Sequence, residues 1–313
     1  RDMLLNKSRS FTRINLSSIG GSENGDVKYF AYVGYNGEGD DFKLGSTASY
    51  DRLNIRSNID LKITNNFNAR FGIFGGLSIN RAPNYGYYTS ETHSNFSISG
   101  MNPLLSDITT IPPIAFPIYA AYDEDEKIPF YGVSSTYRSN PIGSIVNCGY
   151  YKETTRTSVA NLSLDYDLSD LIPGLKSTSY GIFNILNLVR IGKPEDYNAF
   201  IATPALTSEG KDTILLSKVR DGIAMADQTK LHDYYYQRFS FNETLSYERV
   251  FNNNDLQVYL TYLLSSGAID RVREFDKQQN AILTAIYSFN KKYIFQGVLN
   301  YGGSSTFSKD KRY

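Results

Sequence analysis

Two long segments of alternating apolar and polar side chains, joined by a very short turn, constrain the fold of this chain most strongly. The first segment places these apolar residues on one face: Leu53, Ile55, Ile59, Leu61 and Ile63. The second segment does the same with Ala69, Phe71, Ile73, Leu77 and Ile79. Since successive side chains of a strand point to opposite sides, each segment is predicted to be a β-strand with one apolar face. Each is about a dozen residues long, which suits a tilted strand that crosses a bilayer.

The composition narrows the class of protein further. Lys and Arg number 32, as do Asp and Glu, so no net field attracts nucleic acid and no nucleic-acid partner is expected. No run of about 18 apolar residues is present, which argues against a transmembrane helix. Only every second residue of a barrel strand faces lipid, so a moderate apolar content is compatible with a transmembrane β-barrel.

The residues that commonly carry catalysis are scarce. The single cysteine, Cys148, excludes an internal disulfide and a cysteine-cluster metal site, and His93 and His232 are the only histidines. No nucleophile elbow, zinc-protease motif or phosphate-binding loop is present. Asp165 and Asp167 share one side of a predicted strand, a weak glycosidase signal with a simple structural explanation. We therefore predict no enzyme activity, no cofactor, and no catalytic or metal-binding residue.

The order of connections predicts a barrel. About ten strand candidates occur along the chain, and tight turns alternate with longer polar connections. The two longest connections are predicted at about 82–147 and 191–230, and both fall on the same side of the alternation. Antiparallel membrane barrels have short periplasmic turns and long extracellular loops, so the prediction is an all-β chain that forms part of a transmembrane antiparallel β-barrel. The whole chain, residues 1–313, is assigned to this partial barrel.

Tyrosine and phenylalanine recur near the ends of the predicted strands, which indicates an aromatic girdle at the headgroup level. Ordinary strand propensity of aromatic residues would give the same pattern, and both interpretations remain open at this point. The residues concerned are Tyr29, Tyr35, Tyr166, Tyr247, Phe251, Tyr287, Phe289 and Tyr293.

Four stretches resemble the SusC/RagA-type TonB-dependent outer-membrane transporters of Bacteroidetes. KYFAYVGY at residues 28–35 resembles the early YFxSxGY strand of that family, and YDRLNIRSNID at residues 50–60 resembles its YxRxNxRxNxD strand. NETLSY at residues 242–247 resembles a mid-barrel hairpin. The segment from NKKY at 290–293 to GSSTF at 303–307 resembles KYxxxxxxRxDGSSxF, although Asn300 and Gly302 stand near the Arg and Asp of that motif.

This resemblance implies a position and a function. The chain would be an internal piece of a 22-stranded plugged barrel, with the plug domain and TonB box before it and the remaining strands after it. The activity would be import of oligosaccharides or oligopeptides across the cell outer membrane. The implied partners are a SusD-like lipoprotein lid, the TonB–ExbB–ExbD complex acting through the plug, the glycan or peptide ligand, and outer-membrane lipid.

Loop aromatics are the candidate ligand-binding residues, because flat rings can stack on sugars or on peptide side chains. The candidates are Tyr85, Tyr87, Tyr88, Tyr119 and Tyr122. Packing within the loop itself is the commoner role of such rings. The acidic run at residues 123–126 has oxygen ligands suited to Ca²⁺, but it has no EF-hand spacing, and charge runs are usually solvated.

A second class of protein fits the alternation as well: a secreted all-β domain that binds or degrades carbohydrate. The two classes differ in where the apolar faces lie. A soluble sandwich hides them between two sheets, whereas a membrane barrel leaves them on an exterior belt.

Overall fold

The computed structural model describes residues 4–45, 48–83, 101–123, 128–147, 149–222, 227–269 and 276–308. Within these ranges the chain is almost entirely β-structure. In chain order the elements are β1 (Phe11–Gly21), β2 (Val27–Glu38), β3 (Ser49–Lys62), β4 (Phe67–Pro83), α1 (Met101–Thr110), β5 (Tyr119–Asp123), β6 (Ile128–Gly132), α2 (Pro141–Asn147), β7 (Gly149–Asp167), β8 (Leu175–Pro194), β9 (Ala199–Leu206), β10 (Asp212–Arg220), β11 (Thr229–Phe251), β12 (Asn254–Ile269), β13 (Asp276–Phe289) and β14 (Tyr293–Ser304).

Ten of the strands form one antiparallel sheet in the order β1-β2-β3-β4-β7-β8-β11-β12-β13-β14. Each strand pairs with the next one of this sheet along the chain, and β1 and β14 form its two edges. The prediction of an all-β barrel portion with about ten strands is thereby confirmed. The remaining four strands form a separate small sheet in the order β10-β9-β6-β5.

The connections of the large sheet alternate between its two ends, and those at one end, which we call the short-turn rim, have at most seven residues. They are residues 22–26, 63–66, 168–174, 252–253 and 290–292. The opposite end, the long-loop rim, carries the connections 39–48, 84–148, 195–228 and 270–275. The long connections thus begin and end within a few residues of the predicted bounds, because β4 extends to Pro83 and β8 extends to Pro194.

Two hairpin turns show how local sequence sets the strand register. The sequence Asn24-Gly25 predicts a type I′ turn, but only Gly25 has a positive φ, of 76°, so the turn there is of a different type. Asn290 and Lys291 instead have φ values of 50° and 56°, and the Lys292 N–H donates to the Phe289 carbonyl over 3.0 Å. The second hairpin therefore has the two left-handed central residues of a type I′ turn.

One face of the large sheet is built from rows of apolar side chains that follow the strand register. Three consecutive rows cross β3, β4, β7, β8, β11 and β12 in that order. The first row contains Leu61, Ala69, Leu164, Ser179, Glu243 and Tyr262, and the second contains Ile59, Phe71, Leu162, Gly181, Phe241 and Leu264. The third row contains Ser57, Ile73, Ala160, Phe183, Phe239 and Ser266. Ile55, Leu61 and Ile73 are 46%, 38% and 42% exposed. They do not lie in a dry centre between two stacked sheets.

The buried apolar residues confirm that the large sheet has no sandwich core within the described ranges. The larger buried side chains belong mainly to the connections, including Phe42, Leu104, Ile108, Val133 and Ile145. Buried apolar residues of the large sheet are Ala69, Ala82, Tyr151, Leu188 and Ala268. Since a soluble sandwich needs a continuous layer of large buried side chains, this distribution disfavours the alternative of a soluble carbohydrate-binding domain.

The opposite face of the large sheet carries polar groups that pair across strands. The Arg70 guanidinium contacts the Asp165 carboxylate at 2.7 Å, and the Thr178 hydroxyl donates to the other oxygen of the same carboxylate over 3.1 Å. These three residues come from β4, β7 and β8. The polar face is therefore a hydrogen-bonded layer that spans neighbouring strands.

Several strands are longer than the alternation predicts. The alternating pattern places the start of β7 near Ala160 and that of β11 near Tyr235, whereas the strands begin at Gly149 and Thr229. Near the long-loop rim these strands carry polar residues on both sides, for example Thr154 and Thr155. Pairing with β8 continues through this region, so the ladder extends beyond the apolar belt.

No helix among the described residues is long and apolar enough to cross a membrane.

Candidate functional site

The two longest connections come together on the long-loop rim. Strand β6, from residues 84–148, pairs in parallel with β9, from residues 195–228, through Tyr131 opposite Ala199 and Gly132 opposite Phe200. Together with β5 and β10 they form the small sheet, and helices α1 and α2 pack beside it. We call these six elements the rim module.

Asn140 ties the segments of the rim module together. Its side chain is fully buried, and its amide donates to the carbonyls of Ile118 and Gly132 over 2.9 and 2.8 Å. Its backbone N–H donates to the hydroxyl of Tyr197 over 2.8 Å. Its side-chain oxygen accepts from the Ile142 N–H over 3.0 Å, so the residue also caps the N-terminus of α2.

Two tyrosines form the buried centre between the connections. The rings of Tyr131 and Tyr197 meet edge to face at 5.1 Å, and the amide of Asn147 donates to the Tyr131 hydroxyl over 3.0 Å. Burial raises the pKa of Tyr131 to about 12, because the anionic phenolate loses its hydration there. The Arg220 guanidinium lies 5.0 Å from the centre of the Tyr197 ring and covers it on the solvent side.

A second apolar cluster attaches the rim module to the rest of the rim. Leu4 and Phe42, from the segments before β1 and after β2, pack with Leu104, Ile108 and Ile145 of the two helices. The Asp40 carboxylate accepts the backbone N–H of Phe42 over 2.8 Å and that of Ala48 over 2.7 Å, which fixes this connection. Three separate connections therefore form one packed structure above the barrel wall.

A cavity of about 560 Å³ lies between helix α1, the start of α2 and the segment before β5. Its wall is mostly apolar and includes Leu4, Ile108, Ile111, Pro112, Pro113, Phe116, Ile118 and Ile142. Asp107, Thr109 and Thr110 add polar groups on one side. A concave apolar site with a few polar groups is the usual form of a small-ligand pocket.

Two of the predicted binding tyrosines lie on β5, the strand that follows Ile118 of the cavity wall. Tyr119 comes directly after Ile118, Tyr122 lies three residues further along the strand, and they are 52% and 56% exposed. The Tyr119 ring packs on Tyr131 at 5.5 Å, which holds it in place without covering it. Tyr85, Tyr87 and Tyr88 lie outside the described residues, so their role stays a prediction.

Neither the cavity nor the role of Asn140 is predicted by the strand alternation or by the loop aromatics. The Asn140-Pro141 pair was a usable signal, because asparagine is favoured as a helix N-cap and proline at the first helical position. The spacing of Leu104, Leu105 and Ile108 likewise indicates a short amphipathic helix.

The described ranges contain no group of three or more His, Cys, Asp or Glu side chains that could hold a metal ion. Glu124, Glu126 and Asp125 of the acidic run lie outside these ranges, so the Ca²⁺ alternative is untested.

The fold resembles that of solved transporter structures. Alignment with the RagAB peptide transporter gives 13% identity and a TM-score of 0.58. The RagAB peptide importer gives 14% identity in both its "open-open" and "closed-closed" states, with TM-scores of 0.59 and 0.57. Each alignment covers 99% of this chain and 33% of the other, so the chain spans about a third of the length of these structures.

At these identities the likeness concerns the fold. No protein-family profile matches the chain, and no curated protein matches it.

We predict that Asn140→Ala opens the rim module while the barrel strands stay paired. The change removes the cap of α2 and takes the amide donor from the buried Gly132 carbonyl, whereas the Ile118 carbonyl keeps the Gly132 N–H at 3.0 Å. We expect a cost of about 2–4 kcal/mol of local stability. Hydrogen exchange of β6 and β9, compared with that of β3 and β4, measures the effect. Asn140→Asp keeps the capping oxygen but turns an acceptor oxygen toward the carbonyls of Ile118 and Gly132, so it should lose at least as much protection as Asn140→Ala. Equal protection in the wild type and both variants would contradict the assignment.

We also predict that the rim module loses stability at high pH through Tyr131. An unfolded tyrosine ionises near pH 10, whereas Tyr131 does so at about 12, so the folded state retains its proton longer. The stabilisation is complete below about pH 10 and is lost as the pH rises through about 12, in total about 3 kcal/mol. Protease sensitivity of residues 128–147 should rise over this range and should rise less in Tyr131→Phe.

Proposed function

We propose that this chain forms part of the wall and the outer rim of a TonB-dependent importer in the cell outer membrane. The imported nutrient would be an oligopeptide or an oligosaccharide, and the importer would work with a SusD-like surface lipoprotein. The observation that carries the proposal is the large sheet itself, a single antiparallel layer with one exposed apolar face and one polar face.

The dimensions of the apolar face support a membrane location. Along β4 the outward positions from Phe67 to Leu77 are all non-polar, and they span roughly 25 Å along the membrane normal for a tilted strand. That height equals the apolar band of membrane barrels. On β7 and β8 the same face turns polar at the level of Leu77, where Arg156 donates to Asn187 over 3.2 Å.

Aromatic residues at the short-turn end of the apolar band support an orientation in which that end lies at the headgroup level. Tyr166, Phe251 and Phe289 end or nearly end their strands at the short-turn rim and are 46%, 41% and 49% exposed. Amphipathic rings at such a level suit the headgroup region. In this proposal the short-turn rim is periplasmic and the rim module faces the cell exterior.

The rim module supports a peptide ligand more than a glycan. Strand β5 is the edge of the small sheet, and an extended peptide can add to such an edge through main-chain hydrogen bonds. The neighbouring cavity is mainly apolar and suits a hydrophobic side chain. The solved structures that share the fold are described as a peptide transporter and importer, which agrees with this preference.

The remaining partners of the proposal lie outside the chain. Energy would come from a TonB–ExbB–ExbD complex acting on a plug domain, and the lipoprotein would cover the rim module. The solved structures that share the fold are transporters, which favours a non-enzymatic role.

The membrane assignment predicts an asymmetric response to a new charge on β3. Ile59→Arg places a cation on the apolar face and should destabilise the assembled barrel by about 2–4 kcal/mol. Asn58→Arg adds the same charge one residue away on the polar face and should have a much smaller effect. Refolding of the full-length protein into liposomes measures both; equal effects would argue against lipid contact.

The ligand assignment predicts that Tyr119→Ala combined with Tyr122→Ala weakens peptide uptake by about tenfold, because two exposed rings of β5 are lost. The measurement is uptake of a labelled oligopeptide mixture, and of an oligosaccharide mixture, by cells that carry the full-length transporter. Ile214→Ala, an exposed apolar change at the opposite edge of the small sheet, is the control. Unchanged uptake in the double variant would remove these tyrosines from the binding site.

A further inference from the structure

Glu243 occupies an unexpected position on the apolar face. It interrupts the apolar side of β11 in the sequence, and the strand register confirms the placement, opposite Ser179 on β8 and Tyr262 on β12. It is the only charged residue in the three apolar rows defined above. A carboxylate at such a location is costly in a membrane unless it has a specific partner.

The polar partners of Glu243 are neutral. The Ser177 hydroxyl donates to one carboxylate oxygen over 2.6 Å, and the Ser179 hydroxyl donates to the other. Among the ion pairs of the described residues, none includes Glu243. Two hydroxyls orient the carboxylate and satisfy part of its acceptor capacity, and its negative charge remains without a cation.

An apolar groove of about 320 Å³ begins beside this carboxylate. Phe71, Leu162, Phe183, Phe239 and Phe241 line it around Gly181. A Cβ atom built on Gly181 meets nothing within 4 Å, so the glycine leaves the floor of the groove open. Ser179 lines the groove and also donates to Glu243, so the apolar channel and the anionic group are continuous.

We propose that this site binds one phospholipid whose headgroup carries a primary ammonium. The ammonium donates to Glu243, and an acyl chain lies in the groove over Gly181. Glu243 is two residues, about 7 Å along the strand, from the row that contains Tyr166, which places it near the periplasmic headgroup region. The proposal rests on the membrane orientation given under the proposed function.

The charge of Glu243 and the shape of the groove together favour a phospholipid with a primary ammonium headgroup. A primary ammonium supplies both the missing positive charge and hydrogen-bond donors for a charge-assisted bond. A quaternary choline headgroup has the charge without the donors, and an anionic glycerol headgroup would be repelled. The groove runs from the carboxylate toward the middle of the apolar band, the direction in which an acyl chain extends from its headgroup.

The test uses the purified full-length transporter. Dioleoyl phosphatidylethanolamine, phosphatidylcholine and phosphatidylglycerol are added separately, and retained lipid is counted by native mass spectrometry. The wild type should retain phosphatidylethanolamine about tenfold more than either other lipid, since one charge-assisted bond is at stake. Glu243→Gln should remove this preference, and Gly181→Leu should reduce retention of all three lipids.

Glu248→Gln is the matched control, because it removes a carboxylate of the same strand on the polar face, where Glu248 accepts the Tyr259 hydroxyl over 2.7 Å. Its lipid retention should equal that of the wild type. Equal retention of the three lipids by the wild type, or an unchanged preference in Glu243→Gln, overturns the site. If such a protein still inserts into liposomes and imports peptide, the proposed function stands; failure to insert would refute the membrane role itself.

Discussion

The continuous antiparallel hydrogen-bond ladder of the large sheet is the constraint on which the rest of the structure depends. In the proposed membrane location no water can satisfy an exposed N–H or C=O group, so a sheet is stable there only when every strand is paired on both sides. Eight of the ten strands meet this condition within the described chain, while β1 and β14 have one free edge each. Because backbone hydrogen bonds alone hold the strands together, the side chains can form one apolar face and one polar face.

Local pattern predicted the barrel strands well for a physical reason. A strand with one apolar and one polar face must alternate, and this alternation is visible in Leu53, Ile55 and Ile59 without any knowledge of the partner strands. Where both sides of a strand are solvated, the alternation ends although pairing continues, and the starts of β7 and β11 were placed too late for this reason. Glu243 broke the pattern without breaking the strand, because neighbouring hydroxyls supply hydrogen bonds to its carboxylate.

The rim module was beyond the reach of local pattern for a different reason. Its centre depends on the contact between Tyr131 and Tyr197, which are 66 residues apart in the sequence. It also depends on a parallel strand pair, which has no connecting turn whose sequence could predict it. The tyrosines at 119 and 122 could be proposed from composition, but their position on the strand that follows the cavity wall could not. Asn140 carried a recognisable helix-start signal, whereas its bonds to Ile118 and Gly132 follow only from the assembled fold.

The parallel pairing of β6 with β9 makes the two longest connections a single structural unit. A recombination event that replaced residues 84–148 alone would bring in a strand without its partner, and the Tyr197 side chain would lose the backbone group that it contacts at Asn140. Under the proposed function, the ligand preference of this rim should therefore change only when both connections are exchanged together. Grafting both as one cassette onto another barrel of the same fold is the corresponding route for engineering.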